Sequence, residues 1–235
     1  MKIDVFASGS KGNCYKISDG ETNLLLEAGI TLKEIRIATD FNLHEIEGCL
    51  ITHEHGDHSK AGTDLAKAGI NIYASQGTLS HMEWQGHHYK PLIHGQKISI
   101  GSFVVLPFDI KHDAKEPLGF LIESITTREK LLYVTDTFYI KYNFSKTKLD
   151  YAMVECNYCE SELQKAVEKG RTDIDMAKRL RHTHMSLETL LNFFKANDTA
   201  NLKQIYLLHL SDRNANEQEM KIKIQQETGA EVYLC

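Results

Sequence analysis

Proline is scarce, three in 235 residues, and no Gly/Ser- or Pro-rich run interrupts the chain. No linker is visible, and a single domain over residues 1–235 is the economical expectation. No apolar run approaches the roughly 18 residues of a membrane span. The opening M-K-I-D-V-F lacks the long apolar stretch of a signal peptide. Five cysteines, an odd number without framework spacing, argue for a reducing compartment. A cytoplasmic protein with no membrane partner is expected. Net charge is −5, so no global positive field announces a polyanion, and any nucleic-acid contact must be local. Repeats at solenoid periods are absent too.

What the chain has is histidine, twelve residues, and the densest group orders the rest. Leu50 to Ser59 reads L-I-T-H-E-H-G-D-H-S. Leu50-Ile51-Thr52 looks like the end of a buried strand. Gly56 offers a position for φ > 0, and Lys60 to Gly69 reads as a helix. His53, His55, Asp57 and His58 would therefore lie in a loop at the carboxyl edge of a strand, where α/β folds keep their sites. Residues two apart in an extended loop point to one side, so His53 and His55 can close on one ion. Asp57 and His58, beyond the glycine, can turn to a neighbouring one. Imidazoles with a carboxylate suit zinc, manganese or iron better than calcium or magnesium.

Around this centre, Ile3 to Phe6 reads as a strand, followed by A-S-G-S-K-G-N-C. Gly9 and Gly12 permit a tight loop that is either a plain turn or an anion-binding nest, with Lys11 adding charge. Hairpin strands at Tyr15–Ile17 and Leu24–Leu26 end in Glu27-Ala28-Gly29, before a helix from Thr31 to Ala38. His81, His87, His88 and His94 lie in a segment expected to be a rim loop. Ile98–Phe108, Leu118–Glu123 and Leu131–Val134 are strand-like, placing His112 and Asp136 at strand ends. Ala152–Val154 leads into E-C-N-Y-C-E, whose lone C-x-x-C lacks the second knuckle of a zinc ribbon. Glu160 to Arg181 is helical in character, and Lys165 to Arg181 is a local basic concentration, either a solvated helix face or a phosphate contact. His182 and His184 follow, with Ser186 capping a helix from Leu187 to Lys195. Gln204 to Leu208 is a buried-type strand ending in His209. A helix near Asn216–Thr228 and a strand at Glu231–Leu234 close the chain. Strands at both ends with helices between them predict an α/β (α+β) protein of two sheets with helices outside.

T-H-E-H-G-D-H resembles the signature loop of the metallo-β-lactamase superfamily, and the likeness is closer to its YycJ/WalJ-like group. The supporting motifs are S-G-S-K-G-N (Ser8–Asn13), K-H-D-A-K-E-P (Lys111–Pro117), Thr135-Asp136-Thr137, Glu155-Cys156-Asn157, His184-Met185-Ser186 and His209-Leu210-Ser211. The resemblance spans residues 3 to about 215. The resemblance implies a four-layer αββα sandwich and two divalent ions, zinc or manganese, with iron a third option. It implies that His53, His55 and His112 hold one ion, that Asp57, His58 and His209 hold the other, and that Asp136 bridges. His184 is similar to a position near the substrate. Three departures stand out: Glu27 where D-A-G is usual, which would loosen support of the metal loop; Phe138 for a glycine, which would narrow the site; and Cys156 between Glu155 and Asn157.

Two such ions lower the pKa of a shared water and supply hydroxide near neutral pH. The expected function is a metal-dependent phosphodiesterase, a nuclease acting on DNA. Asp57 and His184 would be its catalytic side chains, and Ser10, Lys11, Asn13, Arg179 and Arg181 its substrate contacts. The rivals are hydrolysis of a small ester, thioester, lactone or cyclic phosphate, and a metal-stabilised nucleic-acid-binding or regulatory module.

Overall fold

The computed structural model describes residues 1–211 and 214–235. The chain divides into two compact units. The first comprises residues 1–109 and 114–129, and the second comprises residues 110–113 and 130–235.

In the first unit, β1 (Lys2–Ala7), β2 (Cys14–Ser18) and β3 (Asn23–Leu26) form an antiparallel meander. β4 (Ile46–Leu50), β5 (Asn71–Ser75) and β6 (Tyr89–Leu92) then add in parallel. Parallel pairing needs crossovers, which run through α1 (Leu32–Ala38), the short α2 (Gly56–Ser59) and α3 (Gly62–Lys67), and α4 (Gln76–His81). α1 starts on a reciprocal cap: Thr31 Oγ1 accepts from Glu34 N while the Glu34 carboxylate accepts from Thr31 N at 2.7 Å. Cys14, Leu25, Ile35, Cys49, Leu65, Ile72 and Trp84 pack one apolar cluster. The unit also holds an antiparallel set, β7 (Ile98–Ile100), β8 (Phe103–Asp109) and β9 (Leu118–Ser124).

In the second unit β10 (Lys130–Val134), β11 (Tyr151–Glu155), β12 (Gln204–Leu208) and β13 (Glu231–Leu234) are all parallel. Every residue of β11 is buried, as expected of a strand covered on both faces. Its helices are α5 (Glu160–Glu168), α6 (Ile174–Thr183), α7 (Leu187–Lys195) and α8 (Glu217–Thr228).

Local chemistry corrects several boundaries. Gly56 takes no positive φ and instead opens the turn of α2. The helix expected over Lys60–Gly69 is α3 alone. The strand expected over Ile98–Phe108 is broken by Gly101, at φ +53°, into β7 and β8. The long helix expected over Glu160–Arg181 is two: Gly170 at φ +64° stops α5, and Asp173 accepts from Asp175 N and Met176 N to start α6. The histidine-rich rim holds the end of α4 and β6, and two of its rings are engaged: His88 Nδ1 lies 3.3 Å from Asn71 Oδ1, and His94 Nδ1 accepts from Asp109 N at 3.0 Å.

Candidate metal centre

Parallel register gathers the site chemistry of each unit at one edge. Leu26 of β3 pairs with Leu50 of β4, so Glu27 and Thr52–His58 leave the same carboxyl edge. Val134, Val154 and Leu207 are likewise in register, which puts Asp136, Glu155, Asn157 and His209 together.

In the first unit, His53 Nε2 and His55 Nδ1 lie 3.1 Å apart. Two nitrogens about 2.0–2.1 Å from one tetrahedral ion are separated by about 3.3 Å, so this pair has the spacing of co-ligands. Thr52 Oγ1 sits 2.8 Å from His53 Nδ1 and turns Nε2 toward His55. His58 is fully buried, with Nδ1 3.5 Å from Glu27 Oε1 and Nε2 3.7 Å from Asp57 Oδ2. Glu27 also accepts from Thr52 N at 3.2 Å. One buried carboxylate thus braces both the start and the end of the histidine loop. The longer side chain does not loosen that support; it reaches both ends.

Asn13 and Gly29 hold the loop from beneath. Asn13 N and Gly29 N donate to Asp57 O and Asn13 O, each at 2.8 Å, and Ala28 N donates to His58 O at 2.8 Å. The Asn13 amide is 3.2 Å from Gly9 O, Asp57 O and His58 Nε2, while its oxygen accepts from Gly9 N at 2.9 Å. With Gly12 N bonded to Gly9 O, Gly9 N and Gly12 N are both spent within the glycine loop. Asn13, expected as a substrate contact, is instead fully buried and braces the metal loop, whereas Ser10 and Lys11 are exposed at its tip. The H-x-H acid itself is a strut, since Glu54 accepts from Lys115 N at 2.7 Å and so ties the K-E-P segment to the histidine loop.

In the second unit, ligand-type atoms of Asp136, Glu155, His184 and His209 lie within 4.8 Å of one another. His112 Nε2 is 3.6 Å from Asp136 Oδ2, and Lys111 N donates to Thr137 Oγ1 at 3.3 Å. Glu155 was missed as a site residue. Its buried carboxylate accepts from Thr137 N at 2.9 Å and Met185 N at 3.4 Å, and lies 2.5 Å from His184 Nδ1 and 3.6 Å from His209 Nδ1. Burial alone would raise its pKa, but the His184 charge and the hydrogen bonds of His184 and His209 outweigh that and hold it below its ordinary value. For His184, burial pulls the other way, and the charge and hydrogen bond of Glu155 win and raise it. The rings of His184 and His209 stack at 5.1 Å. Asn157 Nδ2 donates to His209 O at 2.7 Å and lies 3.2 Å from its Nδ1. His53, His184 and His209 share one pattern, in which Nδ1 takes the orienting contact and Nε2 is presented for chemistry, whereas His58 meets the Asn13 amide through Nε2. Such donor sets, oriented imidazoles with carboxylates, fit divalent zinc, manganese or iron.

The basic stretch sits as a solvated helix face, with several of its bases paired to acids nearby. Arg181 forks Glu160, with Nε 3.0 Å from Oε1. Lys165 pairs with Glu162, and Lys178 with Asp175. Arg181 is thus corrected to an ion-pair partner, while Arg179 is exposed. His182 is exposed too. Cys156 and Cys159 are buried free thiols that burial pushes up, so they are neutral packing residues.

A family model described as the beta-lactamase superfamily domain matches residues 22–210. The chain belongs to that superfamily. It is 31% identical over 152 residues to exodeoxyribonuclease YycJ of Bacillus anthracis, a match covering 60% of this chain and 56% of that protein. The chain thus spans little more than half the length of that relative. It is 26% identical over 236 residues to exodeoxyribonuclease WalJ of Streptococcus pneumoniae strain D39, covering 91% and 83%. The crystal structure of the metallo-β-lactamase fold protein YhfI from Bacillus subtilis superposes with a TM-score of 0.74 at 15% identity, covering 99% of this chain and 95% of that one. The expected fold, two sheets with outer helices, is the metallo-β-lactamase fold. No helix among the described residues is long and apolar enough to cross a membrane.

Proposed function

We propose that the protein is a dinuclear metal-dependent phosphodiesterase, a nuclease that works on DNA ends in the cytoplasm. His53, His55 and His112 would hold one divalent ion and Asp57, His58 and His209 the other, with Asp136 shared by both. Zinc or manganese suits these nitrogen-rich donor sets, and iron is the third option. When bound, such a pair supplies Lewis-acid charge to the phosphoryl oxygens and lowers the pKa of a shared water.

The observation that carries the reading is the Glu155–His184 pair beside Asp136 and His209. A phosphodiester needs charge stabilised on its non-bridging oxygens and a proton delivered to its leaving oxygen. His184, held by a buried carboxylate at Nδ1, has Nε2 to offer as that donor. Glu155 positions the ring and sustains its positive charge. Asp57 orients the attacking water. The exodeoxyribonuclease names of the two relatives support a DNA substrate, and the exposed Ser10, Lys11 and Arg179 are its candidate contacts.

The test is release of nucleotides from end-labelled linear DNA by metal-loaded protein, with bis(p-nitrophenyl) phosphate and a thioester run in parallel. His55→Ala abolishes hydrolysis with little change in melting temperature. Undiminished activity in that variant after chelation overturns the proposal. Thioester turnover without phosphodiester turnover moves the protein to the small-ester class, and tight DNA binding without cleavage makes it a binding module.

A further inference from the structure

The segment after Asp136 has an unusual makeup. Tyr139 to Lys148 reads Y-I-K-Y-N-F-S-K-T-K, with three lysines, three aromatics and no carboxylate. In a chain of net charge −5 it concentrates three lysines and, unlike Lys165–Arg181, has no carboxylate in its own sequence.

The segment is built as a platform. Ile140 and Phe144 are buried, Phe144 packing edge-on against Phe193 at 6.3 Å, while Tyr139, Lys141 and Asn143 alternate outward. Tyr139 is 54% exposed, and Lys141 Nζ lies 5.1 Å from the centroid of the Tyr142 ring. Two hydrogen bonds fix it to the end of α7: Asn143 Nδ2 to Ala196 O at 2.8 Å and Phe144 N to Asn197 Oδ1 at 2.5 Å. A concavity of about 390 Å³ opens there, lined by Tyr139, Lys141, Tyr142, Asn192 and Asn197 among others. Flat aromatic faces, amide edges and ammonium groups on a fixed backbone are the chemistry that recognises an unpaired strand. Tyr139 stands three residues from Asp136, at most about 11 Å along the chain.

We propose that Tyr139–Lys148 and the end of α7 form a single-strand platform. Unpaired bases stack on Tyr139 and Tyr142, while Lys141, Lys146 and Lys148 take backbone phosphates, leading a strand end to Asp136. The inference deepens the nuclease reading and rests on it for its substrate.

Fluorescence anisotropy with labelled oligonucleotides, on the full chain carrying His55→Ala, reads binding without cleavage. Tyr139→Ala weakens single-strand binding about ten-fold, as expected for loss of one stacked base, and duplex binding far less. Tyr139→Phe keeps affinity within about two-fold, because the ring face and not the hydroxyl stacks. Replacing Lys141, Lys146 and Lys148 by alanine reduces the slope of log affinity against log salt by about two. An equal loss in Tyr139→Ala and Tyr139→Phe, an equal loss for duplex, or an unchanged salt slope overturns the platform. The same substitutions in otherwise unaltered, metal-loaded protein separate the two readings. Single-strand binding that falls with Tyr139→Ala, in a protein that cleaves no phosphodiester, upholds the platform and sinks the nuclease. DNA cleavage with an unaltered KM in Tyr139→Ala does the reverse.

Discussion

Glu155→Gln isolates the group on which the second half of the site turns. The substitution keeps the volume and the carbonyl that accepts from Thr137 N and Met185 N. It removes the charge that lies 2.5 Å from His184 Nδ1. Severing a buried ion pair by deleting one partner costs about 3–5 kcal/mol, and a charge-assisted hydrogen bond contributes about 1.5–3 kcal/mol. Because glutamine retains the backbone contacts and can still meet the ring, about 2–3 kcal/mol is expected.

The pH dependence carries the sharper test, and its sign follows from both partners. Glu155 lies below its ordinary 4.5 in the folded protein, so its contribution is present above 4.5 and disappears as pH falls through the lowered value. His184 lies above its ordinary 6.5, so its contribution is complete below 6.5 and disappears as pH rises through the raised value. Wild type minus Glu155→Gln should therefore be largest between pH 4.5 and 6.5 and shrink on either side. Urea midpoints of chelated wild type and variant at pH 5.5 and 9 measure this. With metal restored, loss of the cationic donor lowers turnover of bis(p-nitrophenyl) phosphate about 10²-fold, the low end for a positioned acid. A destabilisation that is equal at both pH values, or greater at pH 9, refutes the ion-pair account.

Two further predictions concern the first unit. A Cβ on Gly29 would stand 1.7 Å from Asp57 O and 2.6 Å from Asn13 N, so Gly29→Ala must displace the metal loop; a loss of about 3 kcal/mol in chemical denaturation is expected, the upper end for overpacking, with weaker metal retention on dialysis. Asp19 is held down to about 2: burial would raise it, but hydrogen bonds from Ser102, Ser124, Thr22 and Glu21 prevail. Its contribution is present above its ordinary 3.8 and is lost as pH falls through 2, so Asp19→Asn lowers stability near neutrality, and the gap to wild type closes in acid titrations below pH 2.

The site was legible where a polar residue ends a buried run. His53 after Leu50-Ile51, Asp136 after β10 and His209 after β12 all stand out against apolar neighbours. What the sequence hid was partnership at a distance. His184 meets Glu155, 29 residues away, and Asn13 meets His58, 45 away, so the roles of Glu155 and Asn13 had no local signal beyond a buried-strand glutamate and a glycine-flanked asparagine. The same holds for Arg181, whose partner Glu160 is 21 residues off. β6 falls in the segment expected to be a rim loop, and its Pro91 is accommodated because the strand stands at the edge of its sheet, where a residue without a backbone donor is tolerated. Local breakers outweighed periodicity elsewhere, at Gly101 and Gly170, where continuous patterns concealed a reversal of the backbone.

One backbone feature links the fold to its chemistry. Glu27, Asp136 and His209 follow β3, β10 and β12, and all three have positive φ, at 64°, 50° and 54°. Left-handed backbone costs a residue with a Cβ about 1 kcal/mol or more. Glycine would relieve that strain but carries no carboxylate or imidazole. A strand that simply continued would alternate its side chains between sheet faces. A left-handed residue at its end instead breaks the alternation and re-aims the next groups across the edge. Glu27 can then accept from Thr52 N while lying beside His58, and His209 can turn its ring against His184 while Asn157 holds its carbonyl. In each unit the parallel strands set one carboxyl edge, and these strained residues turn its strand ends into converging donors. The strain is tolerated because each such residue is tied by contacts from a neighbouring strand end, which is why the supporting residues Glu155, Asn157 and Asn13 belong to the site as much as the imidazoles do.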